Sequence, residues 1–401
     1  MDPAAPKTGL ILTGGGARAA YQVGVLRAVA EVWPQRHGSP FPILCGTSAG
    51  AINAAALACN AGSFRKGVRD LLQVWRSFEV ARVYRADPWG IATTGARWLA
   101  AMMLGGLGRS NPACLFDNAP LRELLRSRFA FDRLSEHIAS GDLYALALNA
   151  TGYTSGQSVT FFEGAASAQP WTRARRLGVP TSIGLDHLMA SSAIPFIFPA
   201  VRIHREFFGD GSMRQIAPVS PALHLGADRV LVVAVGRLAK PAPPRHVTTD
   251  YPSMAQIAGH VLSSIFLDSL EVDLERLQRI NRTVGVMPPE LRARHGVSLK
   301  HVETFVIAPS EDIEPIAQRF AHRLPRTVRF FLRGIGATRS TGSNLLSYLL
   351  FDSAYCRALI ALGYRDAMAR REELSEFING SAGEPRRGTQ VAASAAEKAA
   401  A

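Results

Sequence analysis

Gly46-Thr47-Ser48-Ala49-Gly50 constrains this chain more than any other five residues. The run has the form G-x-S-x-G, and its flanks make it specific. Phe41–Cys45 before it is short and apolar, the pattern of a buried strand, and Ala49–Cys59 after it is Ala-rich, the pattern of a helix. A serine on so tight a strand-to-helix turn presents its hydroxyl at the end of a sheet, a nucleophile elbow. Gly46 and Gly50 let the backbone turn and a substrate approach. The helix N-terminus behind Ser48 favours negative charge developing there. Without those flanks the same five residues would read as an ordinary glycine-rich loop.

A second motif precedes it. Thr8–Thr13 is a short apolar strand that runs into Gly14-Gly15-Gly16-Ala17-Arg18, and a helix follows with Tyr21, Val25, Leu26 and Val29 on its apolar face. The chain therefore opens β-α-β-α, the start of a parallel sheet with helices on both faces. The backbone amides of Gly15, Gly16 and Ala17 can point into one concavity and hold an oxyanion, and glycine permits the close approach. A dinucleotide fingerprint is the competing reading. Ala19 breaks its strict form, and the second strand ends in Leu44-Cys45-Gly46 without the acidic residue that holds a ribose. A third motif is Gly209-Asp210-Gly211-Ser212, after the extended, aromatic run Pro195–Phe208. Taken alone, Asp210 between two glycines is a turn residue.

Together these residues resemble the patatin-like phospholipase family, which includes plant patatins and bacterial acyl hydrolases. The resemblance is carried in order by Gly14-Gly15-Gly16-Ala17-Arg18, Gly46-Thr47-Ser48-Ala49-Gly50, Met189-Ala190-Ser191-Ser192-Ala193-Ile194-Pro195 and Asp210-Gly211, and it covers about residues 8–235. Ala19 replaces a common glycine, and Ser212 replaces the family's usual Gly or Ala. The resemblance implies an α/β fold, a patatin-like three-layer sandwich whose mainly parallel sheet carries helices on both faces, with a mainly helical C-terminal extension over 250–375. It also implies a Ser48–Asp210 dyad, an oxyanion hole at Gly14, Gly15, Gly16 and Ala17, and hydrolysis of acyl esters in phospholipids or lysophospholipids. Arg18 is expected beside the oxyanion turn, orienting the loop, meeting a lipid phosphate or making a surface salt bridge. No cofactor or metal is called for; zinc and EF-hand spacings are absent. Two alternatives remain: an α/β-hydrolase triad using His224, His246 or His260, and a non-catalytic lipid-binding scaffold. The early elbow, after only the second strand, argues against the first. Retention of both Ser48 and Asp210 argues against the second.

Elsewhere the sequence is less specific. With 47% hydrophobic and 19% charged residues, a sizeable core is expected. Lys and Arg number 45 against 32 Asp and Glu, leaving +13, which suits an anionic membrane surface and equally a solvated basic face. The arginine groups are not interleaved with aromatics in an RNA-binding pattern, so no nucleic-acid partner is expected. Cys45, Cys59, Cys114 and Cys356 are scattered and read as reduced, mostly buried thiols. The first strand begins almost at once, without a basic-then-apolar leader, so a cytoplasmic protein, with possible peripheral membrane contact, is the default expectation. Trp89–Gly108 is an apolar stretch, either core or membrane-contacting. Pro120–Arg128, capped by Asp117-Asn118, and Leu185–Ser192 read as helices; Leu143–Asn149, Ser158–Glu163, Val230–Val235 and Thr304–Ala308 read as strands. Ile257 to Ile280 predicts one long amphipathic helix with acidic residues, Asp273 among them, at its other positions; Leu345–Met368 reads as a second long amphipathic segment. Residues 381–401 predict a disordered tail. Nothing in the sequence sets the oligomeric state.

Overall fold

The computed structural model describes residues 6–85, 93, 96, 100, 103, 114–238, 253–265, 269–296, 299–334 and 343–380. Most of Trp89–Gly108, His246 and the tail from 381 lie outside these residues. Ten strands form one sheet: β1 (Thr8–Leu12), β2 (Ile43–Thr47), β3 (Ala145–Gly152), β4 (Ser158–Gly164), β5 (Trp171–Arg173), β6 (Arg176–Pro180), β7 (Val201–Ile203), β8 (Glu206–Asp210), β9 (Arg229–Val233) and β10 (Glu303–Ile307). The order is β10-β9-β1-β2-β3-β4-β6-β5, and β8 pairs with both β3 and β7. The stretch β10 to β3 is parallel throughout, and β4 then runs antiparallel to β3.

Alternation along the central strands explains the three layers. Leu10, Leu12 and Leu44 enter one apolar cluster, while Ile11, Ile43 and Cys45 enter another, so each strand feeds a core on both faces. Both clusters draw on residues beyond 250, such as Leu359 in the first and Leu270 in the second. The helices that bear on the site are α1 (Ala20–Val32), α2 (Ala49–Ala58), α3 (Phe64–Arg76), α4 (Ala119–Arg128), α5 (Leu185–Ser191), α6 (Met254–Ser263), α7 (Ser269–Val286), α8 (Ile313–Phe320), α9 (Ser343–Leu349), α10 (Ser353–Ala369) and α11 (Arg371–Asn379).

The C-terminal region is mainly helical, as the resemblance implies, and it is built into the same body. β10 lengthens the sheet beside β9, and α10 packs along α1 so closely that Gly24 and Gly363 leave no space for a Cβ. Within Ile257–Ile280 the described residues form α6 and α7, and residues 266–268 between them lie outside the described residues. The acidic positions of this segment are not all on a solvated face: Asp273 is buried, and its Oδ2 accepts the Val219 amide at 3.0 Å. The amphipathic segment Leu345–Met368 comprises α9 and α10, whose axes bend by 97°. Asp352 ends the continuity by accepting the amides of Ala354 and Tyr355, a side-chain cap that starts a new helix. Among the described residues, no single helix is long and apolar enough to cross a membrane.

Candidate active site

Sheet register brings Ser48 and Asp210 together. β2 ends at Thr47, opposite Asn149 of β3. At the next position of β3, Ala150, the partner is Asp210 of β8. β4 already occupies the other side of β3 at both positions. So β8 continues the lane that β2 vacates, and Asp210 stands where β2 would go on had the chain not turned at Ser48. The end of β2 is fixed by Asn149, which donates to Thr47 Oγ1 at 2.9 Å and accepts from Thr160 at 2.6 Å.

The turn itself is tight. Ser48 has φ 55°, a conformation that side-chain-bearing residues rarely adopt. Gly50 crosses β1 so closely that a Cβ would overlap the Leu12 carbonyl oxygen. Ser48 is 2% exposed, and its amide donates to Ser191 Oγ at 2.9 Å. Asp210 is 1% exposed; its own amide donates to the Ala193 carbonyl at 2.9 Å. The segment Met189–Pro195 thus holds both residues of the pair, one through a side chain and one through backbone. The sequence flagged this segment only through a resemblance and gave no role to Ser191.

The electrostatics suit a base. Burial in a desolvated site pushes the Asp210 carboxyl up to about 6, while the hydroxyl of Ser48 and the amide and hydroxyl of Ser212 pull it back down. Asp210 Oδ1 accepts the Ser212 amide at 2.9 Å. Oδ2 is buried and makes no hydrogen bond of ordinary geometry, and neither do the buried hydroxyls of Ser192 and Ser212. Buried polar atoms are seldom left open in this way.

The glycine run faces the same place. Gly16 has φ 53°, and a Cβ there would overlap the Tyr348 carbonyl oxygen, so glycine is required. The amides of Gly15, Gly16 and Ala17 make no hydrogen bond with other described residues. Gly16 and Ser48 line one cavity of about 230 Å³. Most of its remaining wall is apolar, with Ala49, Ile52 and Ala56 from α2 and Cys59 at its end, Leu71, Val74 and Trp75 from α3, Leu121 and Leu125 from α4, and Ile194, Phe198 and Phe351; Asn60, Asp70, Arg128 and Ser192 are its polar members.

Arg18 is neither at the surface nor in that cavity. It is 1% exposed, and it donates through Nε to Ser347 Oγ at 2.8 Å and through Nη2 to Asn344 Oδ1 at 2.6 Å. It also pairs with Glu314 at 3.2 Å and stacks on the Tyr348 ring, 4.1 Å from its centroid. Of the roles expected for it, loop orientation fits this burial; contact with a lipid phosphate and a surface salt bridge do not. A second buried network braces the loop from the other side. Trp75 donates to Asn53 Oδ1 at 2.9 Å, Asn53 donates to Gln22 Oε1 at 3.0 Å, and Gln22 donates to the Thr13 carbonyl at 2.8 Å.

No described histidine hydrogen-bonds to Ser48 or Asp210. His224 stacks on Trp171, where burial and two arginines push its pKa down to about 4, and His260 is exposed on α6. Among the described residues no cluster of His, Cys, Asp or Glu has the make-up of a metal site.

An elbow serine, a buried carboxylate and a glycine-rich turn thus stand together at the carboxyl edge of a three-layer α/β sheet. The family model for patatin-like phospholipases matches residues 10–223, more than half of the chain, and the chain belongs to that family. It is also similar to a cGAMP-activated phospholipase of Pseudomonas aeruginosa (strain BWHPSA011 / Pa011), at 28% identity over 223 residues. That match covers 54% of this chain and 55% of the relative, so the chain spans about half the length of that protein.

Proposed function

We propose that this protein hydrolyses carboxylic ester bonds of phospholipids or lysophospholipids through a Ser48–Asp210 dyad. The observation that carries the reading is the shared lane on β3, which sets a strained serine beside a buried, partly unpartnered carboxylate at the end of an apolar cavity. The acyl chain lies in that cavity, with its carbonyl at Ser48. As Ser48 Oγ bonds to the carbonyl carbon, its proton passes to Asp210, so no free alkoxide forms. The carbonyl oxygen becomes an oxyanion held by the amides of Gly15, Gly16 and Ala17, each such donor contributing about 3 kcal/mol to the transition state. The proton then goes to the departing alcohol oxygen as the ester C–O bond breaks. Water then attacks the acyl-enzyme carbonyl, giving a proton to Asp210, which passes it to Ser48 Oγ as the acyl C–Oγ bond breaks, so the fatty acid leaves with Ser48 and Asp210 restored. A carboxylate whose pKa lies near 6 is a stronger base than an ordinary aspartate and is still mostly ionised at neutral pH.

Fatty-acid release from a lipid panel, together with fluorophosphonate labelling, tests the reading. Ser48→Ala abolishes both while the thermal transition persists; turnover by Ser48→Ala near the wild-type rate would overturn it. Running the assay with and without cGAMP decides whether the activation named for the Pseudomonas relative extends to this chain.

A further inference from the structure

We propose that the exposed face made by β7, β8 and the turn after β3 is the surface on which the protein seats on an anionic lipid bilayer. The choice of a bilayer rests on the lipid-hydrolase reading; the face itself is read from the fold.

Register builds the face. Arg202 of β7 lies opposite Phe207 of β8, and the Tyr153 amide donates to the Phe207 carbonyl at 2.9 Å, extending the row past the Gly152–Phe208 pair. Opposed residues of antiparallel strands project to the same side. Phe207 is 52% exposed and Tyr153 is 45% exposed, and the Tyr153 ring leans over Gly209 towards Met213. Single exposed apolar residues need no explanation, but a row of them beside a site does.

The charge on this face is one-sided. Arg175, Arg202, Arg205 and Arg214 are exposed, and none has an ion-pair partner among the described residues. The acid among them, Glu206, is occupied: its Oε1 accepts the amides of Thr154 and Ser155 at 2.8 and 2.6 Å. Arginine heads around aromatic and aliphatic tips match the headgroup layer, where the tips enter the acyl boundary and the guanidinium groups meet lipid phosphates.

Position completes the argument. β3 runs parallel to β2, so Tyr153 stands just beyond the sheet edge from which Ser48 emerges. Phe207 lies on the strand that ends in Asp210, and the Asp210 charge is felt at the Tyr153 hydroxyl. A bilayer seated here adjoins the reacting residues.

Co-sedimentation of the full chain with phosphatidylcholine vesicles, with and without phosphatidylglycerol, tests the proposal. The wild type partitions to the anionic vesicles and is released by salt. Arg202→Gln/Arg205→Gln loses about fivefold in partition per arginine, and Phe207→Ser weakens binding to both vesicle types. Thermal transitions confirm folding, and hydrolysis of a short-chain soluble ester stays unchanged in these variants. Arg279→Gln/Arg282→Gln, which removes the same charge from the exposed side of α7, leaves partition intact. Three results overturn the proposal: wild type that ignores anionic vesicles, an equal loss in the α7 control, or unchanged vesicle binding with loss of single-stranded RNA retention in the β7 variant. Wild type that fails to cleave the soluble ester counts against the hydrolase reading instead, and the vesicle result is read independently of it.

Discussion

Asp210 is held in a conflict between folding and chemistry. Its carboxyl is raised to about 6 by burial, against about 3.9 for a free aspartate. Between those values the folded chain binds the proton that the unfolded chain has released. Stability contributed by the protonated form is therefore lost as pH rises through 4 to 6, and at pH 7 the buried charge costs about 2–3 kcal/mol. Asp210→Asn removes that charge. It should raise the thermal midpoint at pH 7–8, with the gain shrinking as pH falls from about 6 to 4, while kcat falls by orders of magnitude because no base remains. Calorimetry across pH, paired with ester hydrolysis, reads both; a less stable Asp210→Asn would show that the carboxylate is not held at a cost. The wild-type rate should fall on the acid side near pH 6, and substitution of His224 or His260 by Gln should leave that limb in place. Ser191 belongs to the same scale. Ser191→Ala strands the buried Ser48 amide, costing about 1–3 kcal/mol, and should lower kcat and fluorophosphonate labelling with little change in KM. A variant labelled at the wild-type rate would remove Ser191 from the machinery. Ser48 stood out in the sequence because its glycine neighbours and flanking strand and helix form a local motif, whereas Asp210 stood out only through the ordered family motifs. Ser191 did not stand out, because its partner lies 143 residues away and a lone Ser carries no signal of an acceptor role.

Elements were legible where local chemistry decides them and illegible where tertiary contacts do. The glycine turn, the elbow and α2 follow from glycine placement and alternation, and the first strands fall within two residues of their expected ends, β2 running on through Gly46 and Thr47. Periodicity alone does not separate α9 from α10, because Leu350 and Phe351 continue the apolar pattern through a bend that Asp352 caps. Asp273 was misplaced for a related reason: a charged residue at a helical position reads as solvated until its buried acceptor role is seen. The wall of α2 gives an element-scale prediction. Ala49, Ile52, Ala56 and Cys59 follow one another at three- and four-residue steps and face the cavity, and small side chains there keep it open. Ala56→Phe should shorten the acyl chain the site accepts. The ratio of kcat/KM for long over short esters should fall at least about tenfold, the scale of a few lost methylene contacts, with short-ester turnover retained. An unchanged ratio would place the chain elsewhere.

On the scale of the whole molecule, the family motifs end near Asp210, yet the body that holds them does not. Arg18, next to Ala17 at the end of the glycine turn, is anchored on Glu314, Asn344 and Ser347, and the Tyr348 carbonyl closes over Gly16. Asn344 in turn donates to the Gly259 carbonyl and to Ser263, so α6, α9 and the glycine turn form one connected assembly. α10 buries Tyr355, Cys356, Leu359, Ile360 and Leu362, most of them against the same core that α1 and α2 complete. At about 1.5–3 kcal/mol for each large apolar side chain buried, this one helix matches the 5–15 kcal/mol by which a typical domain is stable. The segment carrying the family motifs therefore depends on the rest of the chain for folding and for the shape of its oxyanion turn. Removing residues from 343 onward should abolish the cooperative thermal transition or leave an insoluble chain, because a buried guanidinium loses its partners as the core loses a wall. Arg18→Met separates the two effects. It replaces the charge by an apolar chain of similar length, removing the hydrogen bonds to α9 while filling much of the space. The variant should stay folded, and kcat should drop while KM holds, because the turn that aims the amides of Gly15, Gly16 and Ala17 is no longer pinned and those donors act on charge formed only in the transition state. A folded Arg18→Met enzyme with a wild-type kcat would show that the C-terminal helices support the fold alone and contribute nothing to the chemistry.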